Sequence, residues 1–199
     1  RDIFDTAIYK DIVDRYKVRN TTAMKLFINA LLSSKEFSIN KFYNYLKSQG
    51  IKIGKNVLYN YLEYLEDAFF VFSLRKFSLS YKKAEQSLSK IYFIDNGLLT
   101  INNIDDKGRL MENMVFIELM RRGFDISYYQ TLTKEEVDFV IREGKKVKTL
   151  IQVCYDTDNF VTLERETKSI LKASREFKCN KLFIITKDKE KEEKVDGKI

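Results

Sequence analysis

EEVDFVIREGKKVKTLIQVCYD, residues 135 to 156, reads as two short strands joined by a basic turn. In the first strand Val137, Phe139 and Ile141 share one face by the alternation of a pleated backbone, so Asp138 projects from the other. In the second, Ile151, Val153 and Tyr155 share a face, and Leu150, Gln152 and Cys154 share the opposite one. A turn centred near Lys145 sets Asp138 across from Gln152, and a turn one residue shorter would move every pairing. A carboxylate and a carboxamide inside otherwise apolar strands need either partners or a chemical task, because burying them bare is costly.

Working outward from this hairpin, RLMENMVFIELMRRG predicts a strongly apolar helix ended by Gly123, and ISYYQTL predicts a strand. After the hairpin, TLERETKSILKASREFK is an amphipathic helix with Leu163, Thr167, Ile170, Leu171, Ser174 and Phe177 on one side. Its Arg165, Lys168, Lys172 and Arg175 recur at intervals of 3, 4 and 3, which aligns them in a basic stripe. KLFIIT is the last clear strand, before a charged tail. Helix, three strands, helix, strand gives an α/β layer over a mixed sheet.

Upstream, DNGLLTINNIDDKG at 95 to 108 is polar and turn-rich, so a boundary falls there. Residues 3 to 16 carry Phe4, Ala7, Ile8 and Ile12 at helical spacing. Asn20 or Thr21 caps a second helix through Met24, Phe27, Ile28, Leu31 and Leu32, and Ser38 caps a third through Ile39, Phe42 and Leu46, closed by Gly50. A fourth, KNVLYNYLEYLEDA, turns Leu58, Leu62 and Leu65 inward and leaves Lys55, Asn56, Tyr59, Asn60 and Glu63 outside. FFVFSLRKFS and SKIYFID follow as β-rich runs around a polar connection. Helices followed by a hairpin are the order of a winged helix, whose last helix enters the major groove while the wing touches phosphates. Lys55, Asn56, Tyr59 and Asn60 would face DNA, helped by Lys82 and Lys83 of the connection. The bland alternative keeps the same residues merely solvated, on a winged helix used for protein contacts.

Charge supports the first of these. Residues 1 to 95 hold 16 basic and 10 acidic side chains, net +6, and residues 96 to 199 hold 20 and 19, net +1. Absences prune other classes. The chain has no His, which removes Ser-His-Asp triads, Cys-His dyads and imidazole metal ligands, and its two cysteines exclude a structural zinc cluster. Two cysteines fit a reducing cytoplasm, and no apolar run approaches the ~18 residues of a membrane span. The chain starts at Arg1 inside an apparent helix, which reads as a fragment of something longer.

Glu112 lies on the apolar helix, with Val115, Phe116 and Leu119 three, four and seven residues on, so its carboxylate runs along the face that packs on the sheet. Either Arg109 pairs with it, or it converges on Asp138 to hold a divalent cation. A helix Glu, a strand Asp and a polar group on the next strand form a suitable oxygen shell for Mg²⁺ or Mn²⁺, which can activate water against a phosphodiester. Glu112 in GRLMENMVFIEL, Asp138 in EEVDFVI and Gln152 in LIQVCYD resemble, in order and spacing, the three acidic positions of the PD-(D/E)XK nuclease superfamily. More narrowly, KIYFIDNGLL, the EVDF strand, IQVCYD and TLERE look like the C-terminal half of a prokaryotic, especially archaeal, family of AAA-type ATPases. The resemblance spans nearly the whole chain. It implies a winged helix followed by a PD-(D/E)XK-like domain, with ATP bound only in a P-loop domain outside this sequence.

Two departures weaken the implied nuclease. Where the superfamily has an acid, any residue and then Lys, this chain has Gln152, Val153 and Cys154; Gln152 offers only a neutral oxygen, and Cys154 cannot replace a lysine. Arg165 or Lys168 reaching in from the next helix is the available rescue, and a satisfied polar network of Glu112, Asp138 and Gln152 is the competing reading. GIKIGKN, residues 50 to 56, is one residue short of a Walker A loop and ends in Asn, so it is a helix end and turn rather than a nucleotide site.

The expected architecture is therefore α/β (α+β): a winged-helix domain at 1–95, a linker at 96–107, and a restriction-endonuclease-like domain with a mixed central sheet at 108–199. The expected partners are DNA, the chain's own ATPase domain and a second copy of the chain, with no membrane. The rival class is an interaction module that packs on the ATPase or an oligomeric partner.

Overall fold

The computed structural model describes residues 6, 9–78, 87–101, 105–131, 135–190 and 192. The protein is a mixed α and β fold with two sheets, one of them mixed, and its chain divides into two compact units. The first comprises Arg1–Ser73 and Leu88–Asp105, the second Leu74–Ser87 and Asp106–Ile199.

In the first unit a π-helical turn, Tyr9–Asp14, occupies part of the span 3 to 16 where the spacing predicts an α-helix, and Ile12 and Val13 are buried from it; Phe4, Ala7 and Ile8 lie outside the described residues. Helix α1 (Thr21–Ser33) begins where Asn20 accepts the Ala23 N–H at 2.9 Å. Strand β1 (Glu36–Phe37) leads to α2 (Ile39–Ser48), capped by Ser38. The chain reverses at Gly50, whose φ of +73° is open to glycine at little cost, and the Ile51 N–H returns to Leu46 O to close the helix. Helix α3 (Lys55–Asp67) follows, so GIKIGKN is indeed a helix end and a helix start. Strands β2 (Val71–Leu74) and β3 (Ser89–Phe93) complete a small sheet in the order β1-β3-β2.

Phe27 of α1 is fully buried and joins these pieces. Its ring meets Phe37 of β1 at 5.4 Å, Phe42 of α2 at 5.5 Å and Tyr61 of α3 at 6.1 Å between centroids, all in the edge-on arrangement that aromatic quadrupoles favour. Tyr61 corrects the expected inner face of α3: Leu58, Tyr61 and Leu65 are buried, and Leu62 is only partly so. The phenol escapes the cost of burial by donating to Asn20 O at 3.2 Å. A second difference falls in the expected linker, where Asn96–Ile101 forms a short helix, α4, with Asp95 accepting the Gly97 N–H. Leu99 is fully buried, so this segment is part of the first unit rather than a tether.

The second unit starts with helix α5 (Lys107–Arg121), capped by Asp106 and ended at Gly123. Strands β4 (Asp125–Gln130), β5 (Glu136–Glu143), β6 (Lys146–Cys154) and β7 (Leu182–Thr186) form a sheet in that order, with α6 (Phe160–Phe177) crossing from β6 to β7. The first two pairings are antiparallel and β6 with β7 is parallel, as a long helical crossover requires. Phe116 of α5 packs on Phe139 with centroids 6.4 Å apart, while the adjacent Val140 joins Leu150 and the α6 residues Ile170 and Ala173 in a core cluster. Neighbouring strand residues point to opposite faces, so the sheet is covered by a helix on each side. The run FFVFSLRKFS, expected as one β element, is divided: β2 belongs to the small sheet, and Lys76 bridges in parallel to Tyr128 of β4. Among the described residues no helix is long and apolar enough to cross a membrane.

Tyr61 gives a test of the first core. Tyr61→Phe keeps the ring but loses one hydrogen bond, and Asn20 O still accepts the Met24 N–H, so urea unfolding should show a loss of about 1 kcal/mol. Tyr61→Ala should cost about 3–5 kcal/mol by opening a cavity beside Phe27.

Candidate functional site

The β5–β6 hairpin turns over Gly144 and Lys145, with Gly144 at a φ of +61°. Next to the turn Glu143 pairs with Lys146 and Arg142 with Val147, but farther on Ile141 pairs with Thr149, Val140 with Leu150 and Phe139 with Ile151. The extra residue is Lys148, exposed on β6, and this bulge shifts the register by one. Carried on unbroken, the tight turn would set Asp138 across from Ile151; the bulge brings Gln152 there instead. The Asp138 N–H donates to Gln152 Oε1 at 3.3 Å, and Asp138 Oδ2 accepts the Val153 N–H at 2.9 Å.

A second bulge lies on the other side of β5. Ser127 pairs with Val140 and Tyr129 with Val137, so Asp138 and Phe139 together oppose Tyr128. Strict alternation predicts Val137, Phe139 and Ile141 on one face. The structure instead sends both Val137 and Val140 into the core beneath α6 and Phe139 toward α5, because the bulge interrupts the period of two.

Gln152 is 3% exposed, and both ends of its amide are engaged: the oxygen takes the Asp138 N–H and the Nε2 donates to Glu166 Oε2 on α6. Glu166 in turn accepts from Arg165 Nη2 through its other oxygen. That bond, with the Glu166 charge, holds the Arg165 pKa above its ordinary value. Cys154, one residue beyond Val153, is buried and donates its thiol toward Asp156 O at 3.5 Å. Burial raises its pKa, the charges of Glu166 and Asp156 raise it further, and Arg165 and Lys189 act in opposition. It is a small core residue with a protonated thiol.

Asp138 and Gln152 are therefore brought together as the hairpin reading expects. Glu112, partly buried on α5, lies in the electrostatic field of Arg109 three residues earlier. Burial lowers the Arg109 pKa, and the nearby charges of Asp106 and Glu112 favour its cation. Glu166 is the residue that sequence reading passed over. It lies four residues before Ile170, on the buried stripe of its helix, and an inward carboxylate could have been read from that spacing.

The donor set is already engaged by protein partners. Gln152 has no free amide end, one Asp138 oxygen already holds a backbone N–H, and among the described residues no three Asp, Glu or Cys side chains group so as to hold a metal ion. The geometry is that of a hydrogen-bonded polar network linking β5, β6 and α6.

The expected nucleic-acid contacts fall on two surfaces, one in each unit. On α6, Arg165, Lys168, Lys172 and Arg175 are all exposed, yet Arg165 is paired with Glu166 and Lys172 with Glu135. On α3, Lys55, Asn56, Tyr59 and Asn60 are exposed as expected, with Tyr59 at 48%. Lys82 and Lys83 lie outside the described residues. From Phe37 to Leu62, 26 residues spanning α2 and most of α3, there is no acidic side chain, and Lys41, Lys47, Lys52 and Lys55 are all exposed.

Residues 1–107 match the family model described as "Domain of unknown function (DUF8612)", and residues 107–199 match "Domain of unknown function (DUF4143)". The latter is a domain found in the C-terminal regions associated with AAA ATPases. An uncharacterized protein of Methanocaldococcus jannaschii is 39% identical over 98% of this chain, and one of Haemophilus influenzae is 30% identical over 85%. The match covers 45% of the length of each, so the chain spans about half of the curated relatives it matches. No solved structure matches.

The network predicts two stability effects. Gln152→Leu should cost about 1–3 kcal/mol in urea unfolding, because it removes the acceptor of the Asp138 N–H and the donor to one Glu166 oxygen. Gln152→Glu should put a third carboxylate between Asp138 and Glu166, and the like charges should raise the folded pKa of the new group. Native protein would then bind a proton that unfolded chain releases, so the variant's deficit should grow from about pH 5 to about pH 8, and a pH series of unfolding midpoints checks this.

Proposed function

The chain belongs to the family described as "Domain of unknown function (DUF8612)", and on that footing we propose that it is a DNA-binding region whose nuclease-like second unit does not cut. The reading is carried by one observation: the α2–α3 pair offers four exposed lysines and no acid over 26 residues. Such a run of like charge attracts a polyanion. The order of three helices and a small β1-β3-β2 sheet supports a winged-helix docking in which α3 enters the major groove. The α6 stripe contributes less, since Arg165 and Lys172 are already paired with carboxylates.

The second unit supports a nuclease-like scaffold by its element order and by the position of Asp138, but its centre is a closed network. Metal-assisted cleavage through Glu112, Asp138 and Gln152 would set a cation in competition with the Asp138 N–H for the Gln152 oxygen. DNA recognition in the first unit, a structural second unit and ATP hydrolysis by a separate AAA-type domain of the whole protein form one consistent arrangement. The domain matched over residues 107–199 occurs in such proteins.

Binding of duplex DNA by the whole chain should weaken steeply with salt. Lys52→Gln and Lys55→Gln should each reduce the slope of log K against log salt by about 1. No binding, or binding indifferent to both changes, would mean that the face meets protein instead. Plasmid incubated with Mg²⁺ or Mn²⁺ should remain intact with native protein and with Asp138→Ala alike. Cleavage by native protein that the variant loses would overturn the silent centre.

A further inference from the structure

We infer that the exposed face of α3 reads A·T base pairs in the major groove, with Asn56 and Asn60 as the specificity-determining residues. The inference rests on the DNA-binding reading above and adds to it the sequence class of the ligand.

Its first support is the chemistry of the face. Asn56 and Asn60 are four residues apart and both exposed, so they lie on one stripe of the helix about 6 Å apart along its axis. With about 3.4 Å per base step, they address base pairs one or two steps apart. A carboxamide presents an acceptor and a donor side by side, which matches N6 and N7 of adenine and no other base edge in the major groove. Tyr59, beside Asn60 on the same stripe, offers a ring to the thymine methyl that accompanies each adenine.

The second support is what the face lacks. No arginine occurs between Arg19 and Arg75, so the guanidinium fork that reads guanine O6 and N7 is absent from α1, α2 and α3. Lys55 is the only cation on α3 itself, and it stands at the first helical position, where a phosphate is within reach. The far end of the helix is acidic, with Glu63, Glu66 and Asp67 in its last two turns. A duplex is drawn to the first two turns and repelled from the last two, which tilts α3 so that its N-terminal half, carrying both asparagines, enters the groove.

The test uses the whole chain, selection from a randomised duplex library, and anisotropy titrations of two duplexes that differ only in an A·T or G·C core. Selected sites should be rich in A·T, and the A·T duplex should bind about tenfold or more tightly. Asn56→Ala with Asn60→Ala should abolish that preference while the salt-dependent affinity for either duplex persists. Asn60→Arg should shift selection toward guanine. Equal binding of both duplexes by native protein overturns this inference and leaves the DNA-binding reading intact. A preference that survives the double alanine variant also overturns it, pointing to minor-groove shape. Failure to bind any duplex removes the reading on which the inference rests.

Discussion

A carboxylate buried in a sheet must be met by donors, and in this protein that demand is answered by the register of one hairpin. Lys148 bulges out of β6, Gln152 rather than Ile151 comes opposite Asp138, and the chain Asp138–Gln152–Glu166 ties β5 and β6 to α6. Strand β5 carries its own bulge toward β4, which lets it feed apolar side chains to the helices on both faces while Asp138 turns to the Val153 N–H. Moving the register by one would leave a charge against isoleucine.

The network also underlies the proposal that the second unit does not cut DNA. A catalytic centre for phosphodiesters keeps oxygens free to hold a cation and a cationic group free to meet developing charge. Here the amide is engaged at both ends, Arg165 is bonded to Glu166, and Cys154 is a buried thiol. Satisfying every partner favours a rigid core and removes the unmet valence that chemistry requires.

In the first unit the organising contact is the aromatic cluster on Phe27, which fixes β1, α2 and α3 around α1. With the packing assigned to aromatic and aliphatic side chains, the outer surface of α2 and of the first turns of α3 carries lysine, asparagine and tyrosine. The sign of the charge changes along α3, so that one helix has an attractive and a repulsive end.

Much of this was legible in the amino-acid order. Capping by Asn20 and Ser38, the glycine stops at Gly50 and Gly123, the outer face of α3, and the succession helix, three strands, helix, strand are local properties, set within a few residues by backbone sterics and the spacing of apolar side chains. Local rules could not supply the rest. Tyr61 rather than Leu62 turns inward because a carbonyl 41 residues away accepts its hydroxyl. Residues 96–101 fold because Leu99 finds a core, and β2 ends where the next residues bridge to β4. Glu166 acquires a role only when α6 crosses above Gln152. The sequence alone determined which elements form and where charge gathers, since those follow from neighbours along the chain. Tertiary structure decided which polar groups meet, because a bulge of one residue changes every cross-strand partner beyond it.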